Sequence, residues 1–198
     1  MRIGAPKGRL LARSQDALSV APPEASTWLL RLQDIPGLVA NDVLDAGISS
    51  DEWIRETRSD VVRLAPLCWY HVRICTIASP TDRHQGRPVH IVSEYPSIAQ
   101  DFANLRHPDA RVRKVHGATE SYVPGLADLA VDCVETGDSL RRAGLVVDEE
   151  LFRADVWVVA SRRAVADPPT YAALTAWARD IGTGRPACAW SAMEPAHA

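Results

Sequence analysis

VDCVETGDSLRRAG, residues 131–144, opens as a buried strand and closes as a charged helix. Between the two lie Asp132, Glu135, Thr136, Gly137 and Ser139. A parallel strand delivers its carboxyl end to such a turn, and open α/β sheets bind ligands at that edge. The first N–H groups of the following helix lack partners and carry partial positive charge. Gly137 lets the backbone approach an anion closely, and Thr136 and Ser139 add hydroxyl donors. That half of the turn suits a phosphomonoester. Asp132 and Glu135 repel phosphate. They fit a ligand that also carries hydroxyls, as a ribose does, or a Mg2+ bridging ligand and protein. An ordinary capped helix start with surface acids has the same spacing, so spacing alone leaves both readings open.

Outward from this turn, strand and helix patterns alternate along nearly the whole chain. MRIGAP reads as a first strand, KGRLLARSQDAL as a helix and STWLLRL as a second strand. DIPGLVAND reads as a helix with Pro36 in its first turn, where the missing N–H costs nothing. VLDAGISS runs as a strand into DEWIRE, a helix, and VVRLAPLCWYHVRICTIAS supplies two more strand-like runs. The polar PTDRHQGRP breaks the pattern, which restarts with VHIVSE and YPSIAQDFANLR. LFRADVWVVAS reads as the last strand and PPTYAALTAWARDIG as a proline-started helix. The tail SAMEPAHA reads as disordered. Such alternation predicts an α/β fold with mostly parallel sheets. The break predicts two lobes around a cleft, residues 1–82 with 162–198 and residues 83–161.

An apolar fraction of 46% with 24% charged residues is that of a soluble globular chain. A net charge of −3 without a basic stripe argues against nucleic acid as a partner. The apolar runs are of strand length, too short to span a membrane, and the N-terminus lacks a secretory h-region. A cytoplasmic location is expected. Cys68, Cys75, Cys133 and Cys188 are scattered, which argues against structural zinc or a disulfide framework.

With its context, LADLAVDCVETGDSLRRAGLVVDEELF resembles the phosphoribosyl-diphosphate-binding segment of the ATP phosphoribosyltransferase family, which opens histidine biosynthesis. GAPKGRLL resembles that family's Pro-Lys-Gly-Arg-Leu signature. DIPGLVANDVLDAGISS resembles its D-I-P…D-L-G-I-T-G segment, VSEYPSIAQDF its A-T-x-Y-P-N-I segment, and HGATE stands for N-G-S-V-E. The resemblance implies a two-lobed fold like that of periplasmic binding proteins. It implies that Glu135, Thr136, Gly137, Asp138 and Ser139 bind the ribose 5-phosphate, with Asp132 and Glu135 near the ribose hydroxyls. Lys7 and Arg9 would face the cleft and stabilise the leaving diphosphate. Asp45, Gly47 and Ser49 would line its wall, Arg73 would match a basic position at the lobe border, and Glu120 would hold acceptor or ribose. Mg2+ on the diphosphate would assist.

The chain also departs from the pattern. About twenty residues are missing before the D-I-P helix, and two basic positions are lost, in Arg31-Leu32-Gln33 and Tyr70-His71-Val72-Arg73. After HGATE the loop is remodelled with Ser121, Tyr122 and Val123. These departures fall where a triphosphate-bearing acceptor is expected. They leave ATP or another nitrogen heterocycle as acceptor, with a paralogue of the enzyme as one alternative and a non-catalytic binding or partner subunit as another. The chain ends soon after residue 180, as in the family's short form. That form forms oligomers and associates with a regulatory subunit similar to histidyl-tRNA synthetase.

Overall fold

The computed structural model describes residues 1–81 and 87–182. The middle of the PTDRHQGRP break and the SAMEPAHA tail lie outside the described residues. The chain runs β1 (Arg2–Pro6), a 3-10 turn (Gly8–Leu10), α1 (Leu11–Ser19), β2 (Ser26–Leu30), α2 (Ile35–Ala40), β3 (Ala46–Ser50), α3 (Asp51–Glu56) and β4 (Val62–Pro66). It continues with β5 (Val72–Ala78), β6 (His90–Ser93), α4 (Pro96–Arg106), β7 (Arg111–Lys114), a 3-10 turn (Thr119–Ser121), β8 (Leu129–Val134) and α5 (Asp138–Ala143). β9 (Val146–Ala154), β10 (Val156–Ala160), α6 (Arg162–Ala166) and α7 (Pro168–Gly182) follow.

Two compact units result, Met1–Tyr70 with Asp155–Ala198, and His71–Ala154. Each holds a five-stranded sheet, ordered β2-β1-β3-β10-β4 in the first and β7-β6-β8-β5-β9 in the second. The expected boundaries after residues 82 and 161 are corrected to 70/71 and 154/155. The reason is strand pairing: β5 lies antiparallel between β8 and β9, and β10 lies antiparallel between β3 and β4. Both sheets are therefore mixed, with parallel pairs β1–β2, β1–β3, β6–β7 and β6–β8 beside antiparallel ones.

The run read as one last strand, LFRADVWVVAS, is split between the two sheets at Asp155. There the Asp155 N–H donates to Asp51 Oδ2 (3.1 Å), and the Asp155 carbonyl accepts from the Asp51 N–H (3.0 Å). These bonds satisfy the backbone where the ladder breaks. Arg153 and Asp155 interrupt the apolar run at the crossing, but two polar residues within a strand-like run do not by themselves mark a change of sheet.

In the first unit, Ile35, Val39, Leu44, Ile54 and Val159 form a buried core between α2 and the sheet. Gly47 makes that packing possible, since a Cβ there would lie 2.6 Å from Ile35 Cγ2. α7 returns to this unit as expected, its Trp177 Nε1 donating to the Ala17 carbonyl of α1 (2.9 Å). In the second unit Cys75, Ile77, Val92, Ala130, Val134 and Leu140 are packed together. Cys68 is disulfide-bonded, contrary to the reading of scattered, unbridged cysteines, whereas Cys75 and Cys133 are free.

Candidate functional site

In the second unit β6, β7 and β8 run parallel and end at one edge of the sheet. Their carboxyl ends carry Ser93-Glu94, Lys114 and Val134-Glu135. The expected turn stands there. Gly137 has a φ of 76°, in the left-handed region that glycine enters freely, and it caps α5. Thr136 Oγ1 donates to Asp138 Oδ2 (2.9 Å) and accepts from the Asp138 N–H (3.3 Å). Arg141 pairs with Asp138 and donates to the Thr136 carbonyl (3.3 Å), so the loop is tied to the helix that follows it. The Thr136 hydrogen bond and the nearby Arg141 hold the Asp138 carboxyl below its ordinary range. Glu135, Thr136 and Ser139 are exposed.

Asp132 lies at the end of β8, one strand position before the turn's flank, and is partly buried. Its carboxylate accepts from Thr119 Oγ1 and from the Cys133 N–H (2.7 Å). The Thr119 bond fastens the HGATE turn to β8, which brings Glu120 close enough to act on Asp132 electrostatically. Burial pushes the Asp132 pKa up, its hydrogen bonds from Thr119 and Cys133 oppose the rise, and Glu120 adds to it. Glu94 is likewise raised, first by burial and then by Asp132, with His116 and Lys114 pulling the other way. Glu94, Thr119 and Lys114 were not singled out from the sequence. Thr119 and Glu94 were legible only as parts of HGATE and VSEYPS, whose roles come from tertiary contact. Arg73, in β5, lies opposite Val134 and reaches Glu150 (3.5 Å). The structure thus gathers Arg73, Glu120, Asp132 and the turn 135–139 at one sheet edge.

The remaining expected residues belong to the first unit. Lys7 and Arg9 directly follow β1, where the Lys7 N–H donates to the Leu30 carbonyl of β2 (2.8 Å). The Arg9 guanidinium sits 4.8 Å over the Tyr70 ring. The Tyr70 hydroxyl donates to Glu52 Oε1 (2.5 Å), both groups being buried. Burial raises the pKa of both Glu52 and Tyr70.

Asp45, Gly47 and Ser49 lie on or beside β3 with inward tasks. Asp45 is 8% exposed and accepts from the Arg2 N–H (2.7 Å) and from Arg163 (2.6 Å). Burial would raise its pKa, but those two partners outweigh it and leave the carboxyl low. Gly47 serves packing, and buried Ser49 donates to the Leu32 carbonyl (3.3 Å). Among the described residues no group of three His, Cys, Asp or Glu side chains is arranged to hold a metal ion.

Two mixed sheets linked in this order define an α/β protein of the periplasmic-binding-protein-like kind. The chain matches the arginine-bound form of truncated ArgBP from Thermotoga maritima with a TM-score of 0.55 at 9% identity, covering 91% of this chain and 95% of that one. It matches the ATP phosphoribosyl transferase (HisG:HisZ) complex from T. maritima with a TM-score of 0.83 at 19% identity, covering 91% and 97%.

The sequence pattern of the ATP phosphoribosyltransferase family matches residues 31–181, and the chain belongs to that family. ATP phosphoribosyltransferase of Desulforudis audaxviator is 31% identical over 193 residues, covering 85% of this chain and 67% of the relative. That of Pelotomaculum thermopropionicum is 32% identical over 196 residues with the same coverage.

Proposed function

We propose that the protein transfers the 5-phosphoribosyl group from phosphoribosyl diphosphate to a ring nitrogen of ATP, as a glycosyltransferase of histidine biosynthesis. Membership of the family supports the reaction class. The observation that carries the assignment of residues is the sheet edge at β8. A left-handed glycine opens the 135–139 turn there, beside the Asp132–Thr119–Glu120 group.

In this reading Thr136, Gly137 and Ser139 bind the 5-phosphate through hydroxyls and amides, while Asp138 holds the loop in shape. Asp132, Glu135 and Glu120 accept hydrogen bonds from the ribose hydroxyls. Departure of diphosphate leaves positive charge on the anomeric carbon, and carboxylates on the ribose side stabilise it. Lys7 and Arg9 are the cations assigned to the departing diphosphate, and such preorganised charge is worth most where water is excluded. The ring nitrogen then forms the new bond to the anomeric carbon as the carbon–oxygen bond to diphosphate breaks, so no covalent protein nucleophile is required.

Mg2+ would supply charge neutralisation on the diphosphate. The donor set fits an ion that arrives with substrate: Asp132 feels the charge of Glu120 and Glu94 that of Asp132, and a Mg2+ site needs only one or two carboxylates plus phosphate oxygens. Asp45 and Gly47 keep structural tasks in this reading. A regulatory subunit like the second component of the T. maritima complex is the proposed partner, in an oligomer. Among the described residues no helix is long and apolar enough to cross a membrane, and a cytoplasmic location is proposed.

Diphosphate release from phosphoribosyl diphosphate and ATP, with and without such a partner, tests the transfer. Thr136→Val should weaken donor binding about tenfold or more in isothermal titration, since a hydrogen bond to a charged group is worth about 1.5–3 kcal/mol. An unchanged donor affinity would remove the turn from the site.

One observation favours a second acceptor. His71 stands where the family carries a lysine, and its neighbour Tyr70 is buried against a carboxylate. If the lost cations matter, a less charged heterocycle would be accepted in preference to ATP. Turnover with ATP alone among nitrogen heterocycles would dismiss that reading.

A further inference from the structure

Asp132 and Glu94 come from neighbouring strands at one edge of the second sheet. β6 and β8 are parallel, with Val92 beside Ala130 and Ser93 beside Val131, so the next step sets Glu94 beside Asp132. Alternation puts Glu94 on the face of Val92, and Asp132 on that of Ala130 and Val134. Those three apolar residues belong to one core cluster, so the two acids share a face as well. Adjacent strands stand about 5 Å apart. At that range Glu94 feels the negative charge of Asp132, which His116 and Lys114 offset.

The two acids differ in what holds them. Asp132 takes the Thr119 hydroxyl on one oxygen and the Cys133 N–H on the other (2.7 Å). A carboxylate offers about four lone-pair positions, so roughly two remain. Glu94 is half-buried, yet among the described residues its carboxylate accepts no hydrogen bond and forms no ion pair, even with Lys114 or His116. A carboxylate withdrawn from water without a donor is costly. Fastening the strand falls to Ser93 instead, whose hydroxyl donates to the Val131 carbonyl (2.6 Å) and accepts from the Tyr95 N–H (2.8 Å).

We propose that Glu94 is a sugar-binding residue of the donor site. With Asp132 it forms a pair of acceptors that takes the two adjoining ring hydroxyls of the ribose, and it thereby selects a cis-diol over a deoxy sugar. This rests on the donor-binding reading of the same edge given above. With the 5-phosphate on the turn after β8, the ring reaches back to the ends of β8 and β6, where the two acids stand.

The chemistry of the pair selects the diol. Two carboxylates side by side repel until a ligand brings donors to both, and adjoining hydroxyls bring two without adding charge. An acidic group on the ligand would meet the same repulsion. A site built to hydrogen-bond a hydroxyl rejects the analogue that lacks it, because the buried acceptor is then left unpaired. Glu94 is the acceptor with no other partner, so the penalty for a missing hydroxyl falls on it.

Calorimetric titration of the full chain with ribose 5-phosphate and its 2-deoxy and 3-deoxy forms tests this. Divalent cations are left out, so that Glu94 has no metal to act through. The parent should bind ribose 5-phosphate about tenfold or more tighter than either deoxy form. Glu94→Ala should weaken ribose 5-phosphate by a similar factor. It should leave unchanged the binding of one deoxy form, the one lacking the hydroxyl that Glu94 holds. Glu94→Gln keeps the shape and a neutral acceptor, and should show the same pattern with a smaller loss. Equal losses on all three sugars, or no loss on any, overturn the proposal. Thr136→Val separates it from the donor-binding reading, since that variant should weaken all three sugars alike. If it does so while the Glu94 variants show no dependence on the hydroxyls, the role of Glu94 alone falls. A parent protein that binds none of the three sinks the donor-binding reading and Glu94 with it. If Glu94→Ala fails to fold, Glu94→Gln decides by the same comparison.

Discussion

Glu52 is a carboxylate with 3% exposure, and one of its oxygens has no hydrogen-bond partner. The other is held by the Tyr70 hydroxyl, and the Tyr70 ring carries the Arg9 guanidinium. A buried acid thereby fixes the platform under a cation assigned to the diphosphate. Burial raises its pKa, so the native state binds its proton more tightly than the unfolded chain does. Stability is then unaffected below the ordinary carboxyl range and falls as pH rises through the interval up to the raised value. Glu52→Gln keeps an acceptor for Tyr70 and removes the charge. Urea unfolding of that variant should match the parent in acid and exceed it at neutral pH, and a parallel pH dependence in both proteins would contradict this. Tyr70→Phe should instead cost about 1–3 kcal/mol, because it strips a donor from a buried carboxylate. The phenyl ring stays, so Arg9 keeps its seat and the transfer rate should fall less than in Tyr70→Leu.

The turn between β8 and α5 shows what a motif can and cannot disclose at the scale of one element. Glycine and two hydroxyl residues after an apolar run predict a tight strand-to-helix connection, and Gly137 does adopt a left-handed conformation there. A Cβ at this position would meet Arg141 Nη1 at 3.7 Å and Val134 Cγ1 at 3.8 Å, which are ordinary contacts. The penalty for Gly137→Ala is therefore conformational, about 1–2 kcal/mol. The variant can relieve it by relaxing the loop, so donor affinity should drop more than thermal stability does. Equal losses in calorimetry and titration would argue that the turn is purely structural.

The long-range partner of this element was not legible. Thr119 holds Asp132 from a segment thirteen positions earlier, and no local periodicity reports a side-chain bond of that span. The same blindness merged the end of β9 with β10, since Arg153 and Asp155 within a strand-like run look alike whether or not the chain changes sheets there. Asp45 is the converse case. Its type and motif pointed outward to a ligand, yet Arg2 and Arg163 use its carboxylate to tie β1 and α6 together.

At the scale of the whole molecule, the second unit is one uninterrupted segment, His71–Ala154, while the first is made of two. Its ends meet, because Val72 pairs with Ala154 in the β5–β9 ladder. Several of its buried and surface polar pairs lie within the segment. Asp128, 2% exposed, takes the Arg87 guanidinium and the His90 N–H (2.7 Å), and Thr76 Oγ1 accepts from the Glu149 N–H (2.9 Å). Arg106 reaches Glu149 within the same segment (3.0 Å). Cutting the chain at 70/71 and 154/155 leaves these pairs intact and the Cys75–Val134 core whole. Residues 71–154 expressed alone should therefore unfold cooperatively, with a urea slope of about 1 kcal/mol/M as expected of a small domain. The turn 135–139, Asp132, Thr119 and Glu120 all travel with this piece. If they bind the donor as assigned, the excised unit should still bind phosphoribosyl diphosphate in titration, more weakly than the full chain and without releasing diphosphate. A folded piece with no donor affinity would transfer the decisive contacts to Lys7, Arg9 and their neighbours. A piece that unfolds gradually would show instead that the segment depends on the rest of the chain for its cooperativity.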